Sequence, residues 1–180
     1  MIQYKLTTTE KELTQIIALQ QENLFQNISL QEQLEQGFLT VNHSFDLLEK
    51  MHNSYPHIIA IDNAKVVGYA LCMLPEFKNE TPVLIPMFDQ IDTVINRIEN
   101  NINYVVMGQI CIDKNYRQKG IFKGLYHFMK QNVSEKYNAI ITEVDVKNTR
   151  SSNAHKAVGF EVLKTYTFNN QVWELIILYT

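Results

Sequence analysis

Two rhythms of apolar and polar positions run along this chain. IQYKL at 2–6 alternates as a first strand, and Thr8 or Thr9 then opens a helix in which Leu13, Ile16, Ile17 and Leu19 to Leu24 recur at helical spacing. Ser29 followed three residues later by Glu32 is a capping-box pattern, predicting a short second helix that ends at Gly37. A third covers Phe45 to Met51 after Ser44. From residue 57 the period shortens to two. HIIAI at 57–61 and KVVGYALCML at 65–74 flank Asp62, Asn63 and Ala64, a hairpin signal. Residues 75–103 hold three prolines and a predicted helix around Phe88 to Ile98, with Asp89, Asp92 and Asn96 facing outward; this stretch reads as a variable insert. YVVMGQICI at 104–112 is a long buried strand, 121–133 a helix, AIITEVDV at 139–146 a strand, and SSNAHKAV at 151–158 a helix closed by Gly159. VLKTYTF and VWELIILY form a last strand pair around Asn169 and Asn170. The expected class is α/β (α+β), one domain spanning 1–180.

Composition narrows the function classes. At 180 residues and 46% apolar, the chain can bury a core without disulfides or metal. Sixteen Lys and Arg against nineteen Asp and Glu leave a net charge of −3, and no block of five like charges occurs, so nucleic acid is not an expected partner. Cys72 and Cys111 both sit among strand-like residues, which suits a reducing compartment and a cytoplasmic protein. With neither CxxC nor HExxH, no metal is expected. The first residues lack the pattern of a signal peptide, and apolar runs fall short of the ~18 residues of a membrane span, so no membrane partner is expected.

Chemistry concentrates in DKNYRQKGIFKG, 113–124, between the buried strand and an amphipathic helix. A Gly-containing, cation-rich turn entering a helix offers backbone N–H groups and the positive helix end to phosphate. The plainer alternative is a Gly120 turn with solvated cations. Neither GxxxxGK[ST] nor GxGxxG is present. What remains is R-x-x-G-x-[GA], met by Arg117 and Gly120 with Phe122 in the final position. About 30 residues on, Asn148, Ser151, Ala154, His155, Gly159 and Phe160 fall in the register N-x-x-[AS]-x-x-[LAV]-[YH]-x-x-x-G-F. The two motifs together resemble a GNAT-type, acetyl-CoA-dependent N-acetyltransferase, and VVGYAL at 66–71 and the closing strand pair extend the likeness. The resemblance implies a mixed, mostly antiparallel twisted sheet of about seven strands, with helices on both faces and a splayed central strand pair that holds CoA.

It also implies roles. Main-chain groups of Ile110, Cys111 and Ile112 would lie along the pantetheine arm, with a bulge or close approach at Gly108. Amides from Gln118 through Lys119, Gly120, Ile121, Phe122 and Lys123 to Gly124 would cradle the pyrophosphate, with Arg117 and Lys119 as charge partners. The bulk of Phe122 departs from the pattern, and its ring is expected to turn toward Leu125, Tyr126 and Met129. Gly124, inside a helix, suggests close packing. Asn148 and Ser151 would be pantetheine contacts, helix caps, or both. His155 stands where relatives most often have Tyr, as the general acid toward the departing thiolate, as a cofactor contact, or as packing. For the base, Gln109 cannot take a proton; Glu143 and, on the same strand face, Asp145 are the candidates, with a water chain as the alternative. Phe38, His43, Phe45 and Tyr69 are candidate lining for an acceptor pocket.

The expected activity is transfer of acetyl from acetyl-CoA, as co-substrate, to a primary amine by direct attack in a ternary complex. The acceptor would be a small-molecule amine, a protein N-terminus or a lysine. A catalytically inactive acyl-CoA sensor of the same fold is the alternative, and a structural domain without CoA a third reading. VWELIILYT at the end of the chain reads as an exposed sheet edge that would permit a homodimer.

Overall fold

A computed structural model describes residues 1–36, 38–98 and 102–180, so Gly37, read as the end of the second helix, lies outside the described residues. In chain order the elements are β1 (Gln3–Leu6), α1 (Glu10–Asn23), α2 (Leu30–Gln36), α3 (Phe45–Ser54), β2 (Ile58–Asp62), β3 (Lys65–Met73), α4 (Ile85–Ile95), β4 (Tyr104–Ile112), α5 (Ile121–Val133), β5 (Ala139–Asp145), α6 (Thr149–Ala157), β6 (Glu161–Phe168) and β7 (Gln171–Tyr179). The strands form one mixed seven-stranded sheet in the order β1-β2-β3-β4-β5-β7-β6. By contact density the chain falls into two compact units, Met1–Met73 with Gly108–Met129 and Leu74–Met107 with Lys130–Thr180.

In the first unit, Thr9 caps α1 and Glu12 reaches back to its amide, a reciprocal capping box. Ser29 and Glu32 repeat the arrangement ahead of α2. α1 packs on β3 and α3 and buries Leu13, Ile16 and Leu19. The β2–β3 turn has two left-handed residues, Asn63 at φ 47° and Ala64 at φ 66°; such a turn matches the right-handed twist of its strands. His57 is fully buried yet satisfied, its Nε2 3.1 Å from Leu48 O and its Nδ1 accepting from Cys72 N at 3.2 Å, and burial holds its pKa down to about 3. Cys72 and Cys111 are free, buried thiols whose pKa burial raises, that of Cys111 to about 12.

In the second unit, α4 begins at Ile85, three residues before the expected start. Pro86 lies in its first turn, where the missing N–H is one the helix leaves unpaired anyway. Asp89, Asp92 and Asn96 are exposed as expected, and Lys78 bridges the two aspartates at 2.6 and 3.0 Å. β4 and β5 run parallel, Tyr104–Val106 in register with Ala139–Ile141; at the end of that ladder Thr142 Oγ1 donates to Met107 O at 2.9 Å. β7 pairs with β5 along its length and with β6 on its other side. The last strand is therefore interior, and β6 is the edge. The sequence suggested otherwise because a final strand with alternating apolar residues looks alike in either place, and only its partners distinguish them.

Candidate active site

β4 alternates in exposure, with Gly108, Ile110 and Ile112 half-buried and Gln109 and Cys111 buried. A Cβ on Gly108 would meet Met73 at 3.5 Å, ordinary contact, so close packing does not demand glycine there. Where the strand ends, Asp113 organises the turn. Its amide donates to Val67 O at 2.9 Å, and its carboxylate accepts from Asn115 N at 2.9 Å and from Lys65 Nζ at 2.6 Å. Burial opposes the charge, but those donors prevail and hold the carboxyl below its usual range.

The chain then enters the left-handed region twice, at Gln118 (φ 62°) and Gly120 (φ 76°), before α5 starts at Ile121. The start of α5 that follows leaves its first N–H groups without intrahelical partners and carries the positive end of the helix dipole, which favours an anion. Gln118, Lys119 and Gly120 are exposed, and a Cβ on Gly120 would meet nothing within 4 Å. An open turn at a helix N-terminus is where a phosphate-bearing group could be held.

The cations around it are placed unequally. Arg117 turns back from the turn, donating from Nε to Ile112 O at 3.3 Å and from Nη2 to Asn23 Oδ1 at 2.7 Å. Lys119 donates to Asn115 O at 2.8 Å and lies 4.8 Å above the Tyr116 ring. Lys123 is exposed on α5. Phe122 is half-buried, its ring edge-on to Tyr126 at 5.1 Å, in the direction expected for it. Gly124 packs as expected: a Cβ there would collide with the phenol end of Tyr4.

Gln109 cannot serve as a base, and its side chain works as a strap. Its Oε1 accepts from Tyr69 OH at 2.6 Å, and its Nε2 donates to Val41 O at 2.7 Å. Next to Val41, buried His43 is fixed by Gln20, whose Oε1 accepts from the His43 amide at 3.1 Å and lies 3.0 Å from Nδ1; burial holds its pKa down to about 4. Phe38 is half-buried and meets Phe25 edge-on at 5.0 Å, and Phe45 is half-buried on α3. Three of the four candidate pocket residues thus lie in or next to residues 38–43, with Tyr69 on the strand alongside.

In the second unit, Asn148 caps α6, its Oδ1 accepting from Ser151 N at 3.1 Å. One turn on, His155 is buried beside the Phe160 ring, and its Nδ1 lies 2.8 Å from Ser151 O. A carbonyl only accepts, so Nδ1 carries the proton. Burial drives the pKa down to about 4, with the Ser151 bond opposing it. At neutral pH the ring is therefore neutral, and its single proton is committed to Ser151.

Asp145 builds the turn into α6, accepting from Lys147 N at 2.8 Å on its carboxylate and from Asn148 N at 2.8 Å on its carbonyl. Glu143 differs. It is half-buried on β5, burial raises its pKa to about 7, and the Tyr166 hydroxyl on β6 donates to its Oε2 and partly offsets that rise. The register explains the contact. Glu143 lies opposite Leu175, and Trp173, two residues along β7 on the same face, lies opposite Tyr166. Tyr166 and Asn23 were not among the residues singled out from sequence.

Among the described residues no group of three or more His, Cys, Asp or Glu is placed to hold a metal ion, and no helix is long and apolar enough to cross a membrane. None of the curated proteins compared matches the chain in sequence. Solved structures do. The ribosomal-protein-S18-alanine N-acetyltransferase of Escherichia coli superposes with a TM-score of 0.65 at 11% identity, covering 99% of this chain and 94% of that one. A chain of the NatC complex bound to Gag peptide and CoA gives 0.67 at 19% identity, with 99% and 98% covered. Salmonella typhimurium yncA, whose structure holds its cofactor acetyl-CoA, gives 0.63 at 12%, with 99% and 93% covered. At such identities these likenesses establish the fold. The family model described as Acetyltransferase (GNAT) family matches residues 18–160, taking in β4, the turn at 113–120 and the capped helix α6 alike, and so this chain belongs to the GNAT acetyltransferase family.

Proposed function

We propose that this chain is an N-acetyltransferase that moves an acetyl group from acetyl-CoA to a primary amine by direct attack in a ternary complex. In this reading the amides of Gln118 to Gly124 hold the pyrophosphate, with Arg117 and Lys119 supplying charge and the exposed Lys123 adding to it. Main-chain groups of Ile110, Cys111 and Ile112 lie along the pantetheine arm, and Asn148, Ser151 and His155 contact the cofactor. Acetyl-CoA supplies the activated acyl group. Residues 1–180 act as one acyltransferase domain, with 75–103 as its variable part, in a cytoplasmic setting that suits two buried thiols.

Glu143 carries the assignment of N-transfer. An amine arrives as ammonium and must lose a proton before nitrogen bonds to the acyl carbon as the carbon–sulfur bond breaks. A carboxyl titrating at about 7 takes that proton efficiently at neutral pH. The Nδ1–Ser151 bond favours His155 as a cofactor contact over a general acid, because a neutral ring has no other proton to give. The acceptor is a small amine, a protein N-terminus or a lysine; the alanine N-acetyltransferase and the peptide-bound complex among the structural neighbours support including protein N-termini. The test is CoA release from acetyl-CoA across polyamines, amino acids, aminoglycosides and peptides with free or blocked N-termini. Amine-dependent release from any class supports the reading, and release that no amine accelerates refutes it.

A further inference from the structure

Asn23, the last residue of α1, stands at a junction that neither motif includes. Its side chain is bound at both ends: Oδ1 accepts from Arg117 Nη2 at 2.7 Å, and Nδ2 donates to Leu19 O at 2.8 Å. Its main-chain oxygen accepts from Leu39 N at 3.0 Å, and Leu39 O in turn accepts from Phe25 N at 2.9 Å, closing the Leu24–Leu39 bridge. The residue is 8% exposed. On one side of it stands Arg117, immediately before the left-handed Gln118 of the anion-binding turn. On the other stand residues 38–43, with Phe38, the Val41 carbonyl held by Gln109, and His43 held by Gln20.

We propose that Asn23 is a positioning residue that couples the anion-binding turn to the acceptor-side residues 38–43, so that occupation of the turn by CoA tightens that segment before the acceptor arrives. The inference rests on the acyl-CoA reading above. Its physical basis is a short chain of hydrogen bonds through one buried amide. Arg117 holds Ile112 O and Asn23 Oδ1 with different nitrogens of one planar group, so a shift of the turn's backbone that moves the guanidinium also moves Asn23. Asn23 has few ways to yield, because its Nδ2 bond to Leu19 fixes the amide plane against the helix. Its motion therefore reaches the Leu39 amide. A partner that binds one arrangement of such a junction better than another shifts the whole set, and typical couplings of this kind amount to about 5- to 150-fold.

Hydrogen exchange at the Leu39 and Phe25 amides, measured with and without CoA on the full chain, tests this directly. In the wild type, CoA is expected to slow exchange at Leu39 by about fivefold or more. In Asn23→Ala that CoA-dependent protection is lost while the Kd for CoA, from calorimetry, stays within about threefold. If Asn23→Ala does not fold, Arg117→Lys, compared at CoA concentrations that calorimetry shows to saturate it, cuts the same link from the loop side and is expected to lose the protection as well. Full protection in Asn23→Ala, no protection in a wild type that binds CoA, or loss of CoA binding along with the Asn23 amide would each overturn the coupling. A wild type that binds no CoA would remove the acyl-CoA reading itself, and the coupling with it.

Discussion

In the proposed function, the turn at 117–120 and the Glu143 carboxyl handle charge by opposite means. The turn is exposed and works through main-chain N–H groups, so most of its side chains can vary while the backbone path cannot. Glu143 is half-buried and works through desolvation, so its neighbours matter and its local backbone hardly does. In the proposed function, ligand charge is held where water still competes, and the proton is moved where water has been thinned. An anion that must come and go needs the former, and a carboxyl titrating near neutrality needs the latter.

This contrast breaks most sharply at Glu143. Glu143→Gln keeps the shape and removes the titrating group, and kcat/KM for an amine acceptor is expected to fall by about 10²- to 10⁴-fold. In the wild type the rate rises with pH as Glu143 loses its proton near 7, and that limb vanishes in the variant. Next in size is Gly120→Glu, which puts a carboxylate into the open side of the turn. Wild type at ~100 times Kd of acetyl-CoA gains ~2.7 kcal/mol, a Tm rise of roughly 5–10 °C, and the variant is expected to show none. Gly124→Ala separates a glycine kept for packing from one kept for conformation. Alanine normally adds ~1 kcal/mol inside a helix, but here its methyl displaces Tyr4, so thermal unfolding shows no gain or a loss. The smallest effect is expected in Tyr166→Phe. Losing a donor to the ionised carboxylate raises the pKa of Glu143 further, so the rising limb of the pH–rate profile moves to higher pH by less than about one unit, with the maximal rate little changed.

The same contrast explains what could be read from the amino-acid string. The capping boxes at Thr9 and Ser29, the hairpins at Asn63 and Asn169, and the turn from Asp113 to Gly120 are decided within a few residues, and each appears where its local pattern puts it. Glu143 and Asp145 looked equivalent, two carboxylates on one strand face. What divides them is a phenol 23 residues away, brought in by β7 lying between β5 and β6, and a turn that spends Asp145 on its own backbone. Half of that register was available, since a two-residue turn at 169–170 sets Tyr166 against Trp173. The pairing of β7 with β5 was not. Arg117 shows the same limit from the other side: that its guanidinium also meets the Ile112 carbonyl and the Asn23 side chain depends on a residue 94 positions away, which no local pattern announces.

Burial of both cysteines has a practical consequence. Alkylating reagents react with thiolate, and with its pKa raised to about 12 the Cys111 thiol is almost wholly protonated at neutral pH, as is the more deeply buried Cys72. The native chain is expected to react slowly with maleimides, which labelling of the folded protein checks. A single cysteine introduced at an exposed site such as Glu135 would then take a fluorophore alone, with no need to strip the natural thiols out of the core first.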